Sequence, residues 1–178
     1  MKKQSPLFLK TSLKFGAVGG CLVSIFFLVI YFFDKNPLIA FREFYFGMLL
    51  LPMFIFFSIK EVRDYKNSGR LRFWQGLIVG FLTYVSMAFV FIFFVQFFVY
   101  YIDNQLMEDY IEDGVNLVQS MQEEITSRVG ESEYKRILKE MKEVSLFASL
   151  KDFSEKVLIS FSVIGLFLTI LISVFLRK

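Results

Sequence analysis

At 178 residues the chain has the length of one domain, yet 56% of it is apolar, 25 residues are Phe and only 21% is charged. A water-soluble core of this size could not hide that much apolar side chain. The chain has no His, one Cys and three Pro, which excludes His-dependent catalysis, His-ligated metals and intramolecular disulfides.

Segment 1–14 is a basic leader with Lys2, Lys3, Lys10 and Lys14. Phe15–Phe33 follows as 19 residues without a charge, close to the ~20 that carry a helix across ~30 Å of hydrocarbon. It ends in Tyr31-Phe32-Phe33 without a small-residue cleavage site, so it reads as a retained anchor rather than a signal peptide. Residues 44–59 form a second charge-free run of 16. It can span only if it starts near Leu38, with Arg42 and Glu43 snorkelling at headgroup level.

The connection Lys60–Arg72 carries five bases, Lys60, Arg63, Lys66, Arg70 and Arg72. They are candidates for anionic-lipid contact, and equally for fixing topology alone; Asn67-Ser68-Gly69 makes the turn. Phe73–Ile102 is the longest charge-free run, at 30 residues. As a helix it is ~45 Å long, so it must tilt or protrude. Trp74 and Tyr100-Tyr101 mark its two ends at the interfaces, where amphipathic rings settle.

Segment 103–156 has a different character. Leu106, Tyr110, Gly114, Leu117, Met121 and Ile125 recur every three or four residues, as do Tyr134, Ile137, Leu138, Met141 and Val144 after Gly130. Both patterns predict amphipathic helices forming a hairpin, with Ser132 as candidate N-cap of the second and Lys135 where a capping box would want Glu. Asp103–Ser127 has seven acids and no base, whereas Arg128–Lys156 has seven bases and six acids, which allows ion pairs between antiparallel arms. The hairpin has three ways to cover its stripes: packing on itself, lying on the membrane surface, or pairing with a partner or second copy. Leu117, Met121, Ile137 and Met141 are its candidate partner contacts. Glu108, Asp109, Glu112 and Asp113 read as a solvated acidic face, because their spacing lacks the loop of a calcium site. Val157–Leu176 closes the chain as a last charge-free run of 20.

The expected architecture is therefore all-α and integral to the membrane, with four transmembrane helices and an extracytoplasmic helical hairpin between spans three and four. Its parts are 1–14, 15–102 with the basic loop 60–72, 103–156 and 157–178. The short basic segments all fall on one side of a four-span layout, which places both termini in the cytoplasm. Gly16-x-x-x-Gly20 and Gly76-x-x-x-Gly80 sit at similar depth and predict close contact between spans one and three, or homodimerisation through either strip. Cys21, within span one, reads as a small apolar filler.

No charge lies deep in a span; Gln96 and Thr83 are among the polar groups there, and Gln96 is the strongest. A Gln so placed serves more often to bond helices than to bind a substrate. Without His, an activated Cys or an intramembrane carboxylate, the usual catalytic groups are missing. The reading is a non-enzymatic structural or interaction subunit, with a small transporter or oligomeric pore as the alternative. It needs no cofactor and no nucleic acid. Its partners are the lipid bilayer and either a second copy or another membrane or periplasmic protein.

Leu13-Lys-Phe-Gly-Ala-Val-Gly-Gly20, Ile59-Lys-Glu-Val-Arg-Asp-Tyr65, Phe73-Trp-Gln-Gly76 with Gly80, and Tyr101-Ile-Asp103 together carry a family likeness. The chain resembles the small four-pass inner-membrane proteins of unknown function that are widespread in Bacteroidota. It departs from them at Asn104, where that family often has Pro. The resemblance implies the layout and no catalytic residues.

Overall fold

The computed structural model describes residues 5–33, 35–39, 46–66 and 69–177, and no strand occurs among them. Arg42 and Glu43 of the proposed second-span entry, Lys2 and Lys3 of the leader, and Asn67 and Ser68 of the loop lie outside the described residues. The helices are α1 (Ser5–Phe32), α2 (Phe46–Glu61), α3 (Phe73–Tyr101), α4 (Gln105–Ser120), α5 (Gln122–Val129), α6 (Glu131–Lys142) and α7 (Leu146–Leu176). A π-helical turn, Val62–Lys66, extends α2.

Among the described residues three helices are long and apolar enough to cross a membrane: Phe8–Phe32 within α1, all of α3, and α7. In hydrocarbon every backbone N–H and C=O must bond within its own segment, so these runs form helices whatever their intrinsic propensity. The shorter α2, at 16 residues, packs against all three. The closest pairing is α1 with α3, followed by α3 with α7, while α1 and α7 sit at opposite corners.

Individual contacts set the helix directions. Ser12 Oγ lies 3.1 Å from the Val79 carbonyl and Phe27 meets Phe94 and Phe98, so α1 and α3 run parallel. Lys14 of α1 meets Glu61 and Gly19 lies by Phe54 of α2, while Gly80 of α3 lies by Thr169 and Gln96 meets Ser154 of α7, so α2 and α7 run antiparallel to them. The N-terminal ends of α1 and α3 and the C-terminal ends of α2 and α7 therefore share one end of the bundle. That end carries Lys10, Lys14, Lys60, Arg63, Arg70, Arg72 and Arg177. At the far end the Tyr31 hydroxyl donates to Asp103 Oδ2 (3.1 Å) and Asn36 Nδ2 to the Leu106 carbonyl (2.7 Å). These bonds pin the start of α4 to the chain that follows α1.

The bundle interior is aromatic, with hydroxyl bonds in its basic half. Phe27 is fully buried and takes Phe91, Phe94 and Phe98 edge-on at 6.3, 5.6 and 5.4 Å between ring centres. The Thr83 hydroxyl, also buried, lies 2.8 Å from Ser58 Oγ. A double-mutant cycle of Thr83→Val and Ser58→Ala is expected to give a coupling of about 0.6 kcal/mol, because lipid-exposed hydroxyls also find local carbonyls. Reversible unfolding in mixed micelles measures it; a coupling of zero would mean the two hydroxyls do not bond.

Three local expectations need correction. The first arm of segment 103–156 is not one helix, since it breaks at Met121 (φ −100°, ψ 19°) into α4 and α5. Helix α6 starts at Glu131 rather than after a Ser132 cap, because Gly130 takes φ +86°, a conformation that suits a residue without Cβ. Lys135 then sits four residues from Glu131 and pairs with it at 2.7 Å, which explains why the capping-box position is basic. Third, α7 begins at Leu146, so position 157, the expected start of the last span, falls inside a continuous helix. Ser145 caps it by accepting from the Ala148 N–H (3.3 Å). The polar stretch stays helical through the i,i+4 pairs Lys151–Glu155 (3.8 Å) and Lys156–Asp152 (2.7 Å).

Candidate functional site

Beside the far end of the bundle, α4, α6 and the first turns of α7 enclose a cleft of about 480 Å³. Its α4 wall includes Tyr110, Ile111, Leu117 and Val118, and its α6 wall Ile137 and Met141. Gly114 lies opposite Met141, where a Cβ would make ordinary contact with Met141 Cε at 3.4 Å. The base is fixed to α7 by Tyr110, which meets Phe153 edge-on at 5.8 Å. Glu140, Asp152 and Lys156 add charge to an otherwise apolar lining. A shallower groove of about 320 Å³ lies next to it, where Glu108 and Glu112 face Lys142.

The structure brings three of the four predicted contact residues, Leu117, Ile137 and Met141, to this one cleft. Met121 does not line it; it occupies the break after α4 and is 41% exposed. Leu117 is 49% exposed although it lies on the apolar stripe of α4, so packing within segment 103–156 leaves part of that stripe uncovered. Among the described residues no group of three acidic, Cys or His side chains is placed to hold a metal. Glu131 and Lys135 hold each other charged: their hydrogen bond, and then their mutual attraction, lowers the carboxyl and raises the ammonium relative to their usual values.

The two glycine strips do not face each other. Gly16 and Gly20 lie against α3 at Thr83, Ser86, Met87 and Val90, whereas Gly76 and Gly80 lie against α7 at Ser173 and Thr169. The sequence reading missed the second partner. Its signal was present as Gly165-x-x-x-Thr169-x-x-x-Ser173, a strip of small residues four apart. Gly165 itself gives room to the Tyr84 ring.

The basic connection is only partly free. The Arg63 guanidinium donates to Asp64 (2.7 Å), and this bond holds the Asp64 carboxyl below its ordinary pKa. Lys14 reaches Glu61 (3.2 Å), and Lys60 stands over the Phe56 ring at 5.8 Å. Lys60, Arg70 and Arg72 are exposed, while Leu71 between the last two is buried. The Lys66 side chain lies outside the described residues.

An all-helical protein with three membrane-length apolar helices, a basic bundle end and an apolar cleft at the other end belongs to the class of membrane-embedded helical proteins. More particularly, the chain belongs to the family described as protein of unknown function (DUF4199), whose family model matches residues 14–178. No curated protein and no solved structure matches it.

Proposed function

We propose that this protein is a non-enzymatic interaction subunit of a bacterial inner membrane that docks a partner in the α4–α6–α7 cleft. In this reading α2 is a fourth span, entering through residues outside the described ones. The basic bundle end faces the cytoplasm with both termini, a reading that the excess of Lys and Arg there supports. The segment from α4 to the start of α7 is then an extracytoplasmic hairpin, as in the Bacteroidota proteins the chain resembles. Lys60, Arg70 and Arg72 lie against inner-leaflet headgroups, where each such base attracts anionic lipid by about 1 kcal/mol, while Arg63 is already bonded to Asp64.

The observation that carries the reading is the cleft itself, an apolar lining from three helices that this chain does not fill. Apolar surface left open in this way on a segment outside the bundle supports a docking role for it. The alternative, a small transporter or oligomeric pore, needs free polar groups along a path past Gln96 and Thr83. Both are instead engaged across helices, Gln96 with Ser154 at 3.0 Å and Thr83 with Ser58 at 2.8 Å, as interhelical bonding groups are.

Photoreactive residues placed singly at Leu117, Met121, Ile137 and Met141 test the proposal in cells. Leu117, Ile137 and Met141 are expected to crosslink to one defined protein or to a second copy, with Met121 weaker. Intramolecular products alone would overturn the partner reading.

A further inference from the structure

The charge-free runs of the helices are out of step along the bundle. The Ser12 hydroxyl donates to the Val79 carbonyl, and Gly16 lies against Thr83 and Ser86, so Lys14 of α1 stands level with Phe81 of α3. Lys14 reaches Glu61, and Thr83 donates to Ser58, which puts Lys60 and Glu61 of α2 at that level too. On α7, Ser173 lies against Gly76, and Arg177 follows one turn later, level with Arg72. The apolar surface therefore begins about eight or nine residues, roughly 13 Å, further from the basic end on α1 and α2 than on α7.

The far end repeats the step. Tyr31 meets Phe98 at 5.1 Å between ring centres, and α1 stays free of charge to Phe33, level with Tyr100. Gln96 meets Ser154, so Lys156 of α7 already stands opposite Phe93 and Phe94. From there outward α7 exposes Lys156, Glu155, Asp152 and Lys151, where α1 and α3 expose Phe32, Phe33, Tyr101 and Ile102.

We propose that the lipid-facing belt of this bundle is oblique, so that the bundle crosses the bilayer inclined, its far end leaning towards α1 and α7 on the upper side. Hydrocarbon covers the charge-free runs and headgroups take the charges, so two runs of similar length set 13 Å out of step define an inclined slab. The helices α1 and α7 occupy opposite corners, roughly 15 Å apart for neighbours spaced 8–10 Å. The inclination is then roughly 30–40°, the steep part of the range for membrane helices.

Lying between them, α3 must be apolar over both runs, which explains its 30 charge-free residues. At this inclination its ~45 Å projects onto about 34–39 Å, the hydrocarbon plus the headgroup edges where the rings of Trp74 and Tyr100 settle. The runs of α1 and α7 project onto only about 22–26 Å. Lysine stems make up the difference by snorkelling, as that of Lys156 does in reaching outward to Asp152 at 2.7 Å. The inference rests on the bilayer reading, and on neither the α4–α6–α7 cleft nor the side that the basic end faces.

Nitroxide labels on single cysteines in a Cys21→Ala background test it in bilayers. Val18 of α1 and Val163 of α7 stand at one level, set by Gly16 and Gly20 against Ser86 and Val90 and by Gly165 against Tyr84. Leu22 and Ile159 stand together one turn further out, and all four side chains are exposed. Relative collision with oxygen and with a water-soluble nickel chelate should place Val163 deeper than Val18, but Leu22 deeper than Ile159, by roughly 8–10 Å in each pair. Isotope-edited infrared dichroism of α3 in oriented bilayers should give an axis roughly 30–40° from the normal. Equal depths within both pairs, or an α3 axis within about 15° of the normal, would overturn the inclination alone. Four labels with no more oxygen contact than one in an exposed loop would overturn the bilayer reading with it.

Discussion

Gly16→Ala is expected to lower stability by about 2 kcal/mol or more, the upper part of the range for overpacking a close contact. A Cβ at Gly16 would stand 2.5 Å from Ser86 Cβ and 2.7 Å from the Thr83 carbonyl oxygen. The second atom is backbone, so Ser86→Gly removes only half of the obstruction and should not restore the variant. Gly80→Ala is the informative contrast. The three atoms nearest its Cβ would all belong to the Thr169 side chain, Cγ2 at 2.4 Å, Oγ1 at 2.6 Å and Cβ at 3.0 Å. Thr169→Ala removes the two nearest, and the pair Gly80→Ala with Thr169→Ala should regain most of what Gly80→Ala loses. Unfolding midpoints of the four variants decide the matter; a neutral Gly16→Ala would mean that α1 and α3 lie further apart than described here.

Phe27→Ala should have an effect of similar size for a different reason. In water, truncating a buried Phe loses both the transfer free energy and the packing around the cavity, about 3–5 kcal/mol together. In a bilayer the separated helices expose Phe27 to lipid tails as apolar as the protein core, so the transfer part falls away. What remains is packing, here three edge-on ring contacts with α3 at roughly 0.5–1.5 kcal/mol each. The expected loss is therefore about 2–3 kcal/mol. Phe175→Ala, at a side chain 84% exposed on α7, should change stability by less than about 0.5 kcal/mol. Equal effects at the two positions would show that ring packing in the bundle contributes nothing beyond contact with lipid.

The long helices were legible because a charge-free run of 19 to 30 residues has one economical conformation in hydrocarbon. Phe73–Ile102 gives α3 almost end to end, whereas Phe15–Phe33 gives α1 without its first ten residues, Ser5–Lys14. The α7 start was not legible from the same signal. Lys151, Asp152, Glu155 and Lys156 interrupt the apolar run, yet they pair along the helix and extend it to the Ser145 cap. The break at Met121 left no mark either, since neither Gly nor Pro stands there. Glycine strips could be found from spacing, but their partners could not: Gly76 and Gly80 have the same pattern as Gly16 and Gly20 and face a different helix. In the cleft, the periodicity that nominated Leu117, Ile137 and Met141 identified a shared stripe, and only the fold shows that Met121 leaves it.

The continuity of α7 has a mechanical consequence. It is a single rod of 31 residues, about 46 Å long, with Ser149 and Asp152 in one wall of the α4–α6–α7 cleft and Thr169 and Ser173 pressed against the glycines of α3. No proline interrupts it between these two contacts, and its one glycine there, Gly165, is packed against the Tyr84 ring, so no proline kink absorbs a tilt. A load applied at the cleft is therefore delivered to the opposite end of the bundle, with the tight Gly80–Thr169 crossing as fulcrum. A displacement at one end of the rod and the seating of helices at the other are thus geometrically a single event.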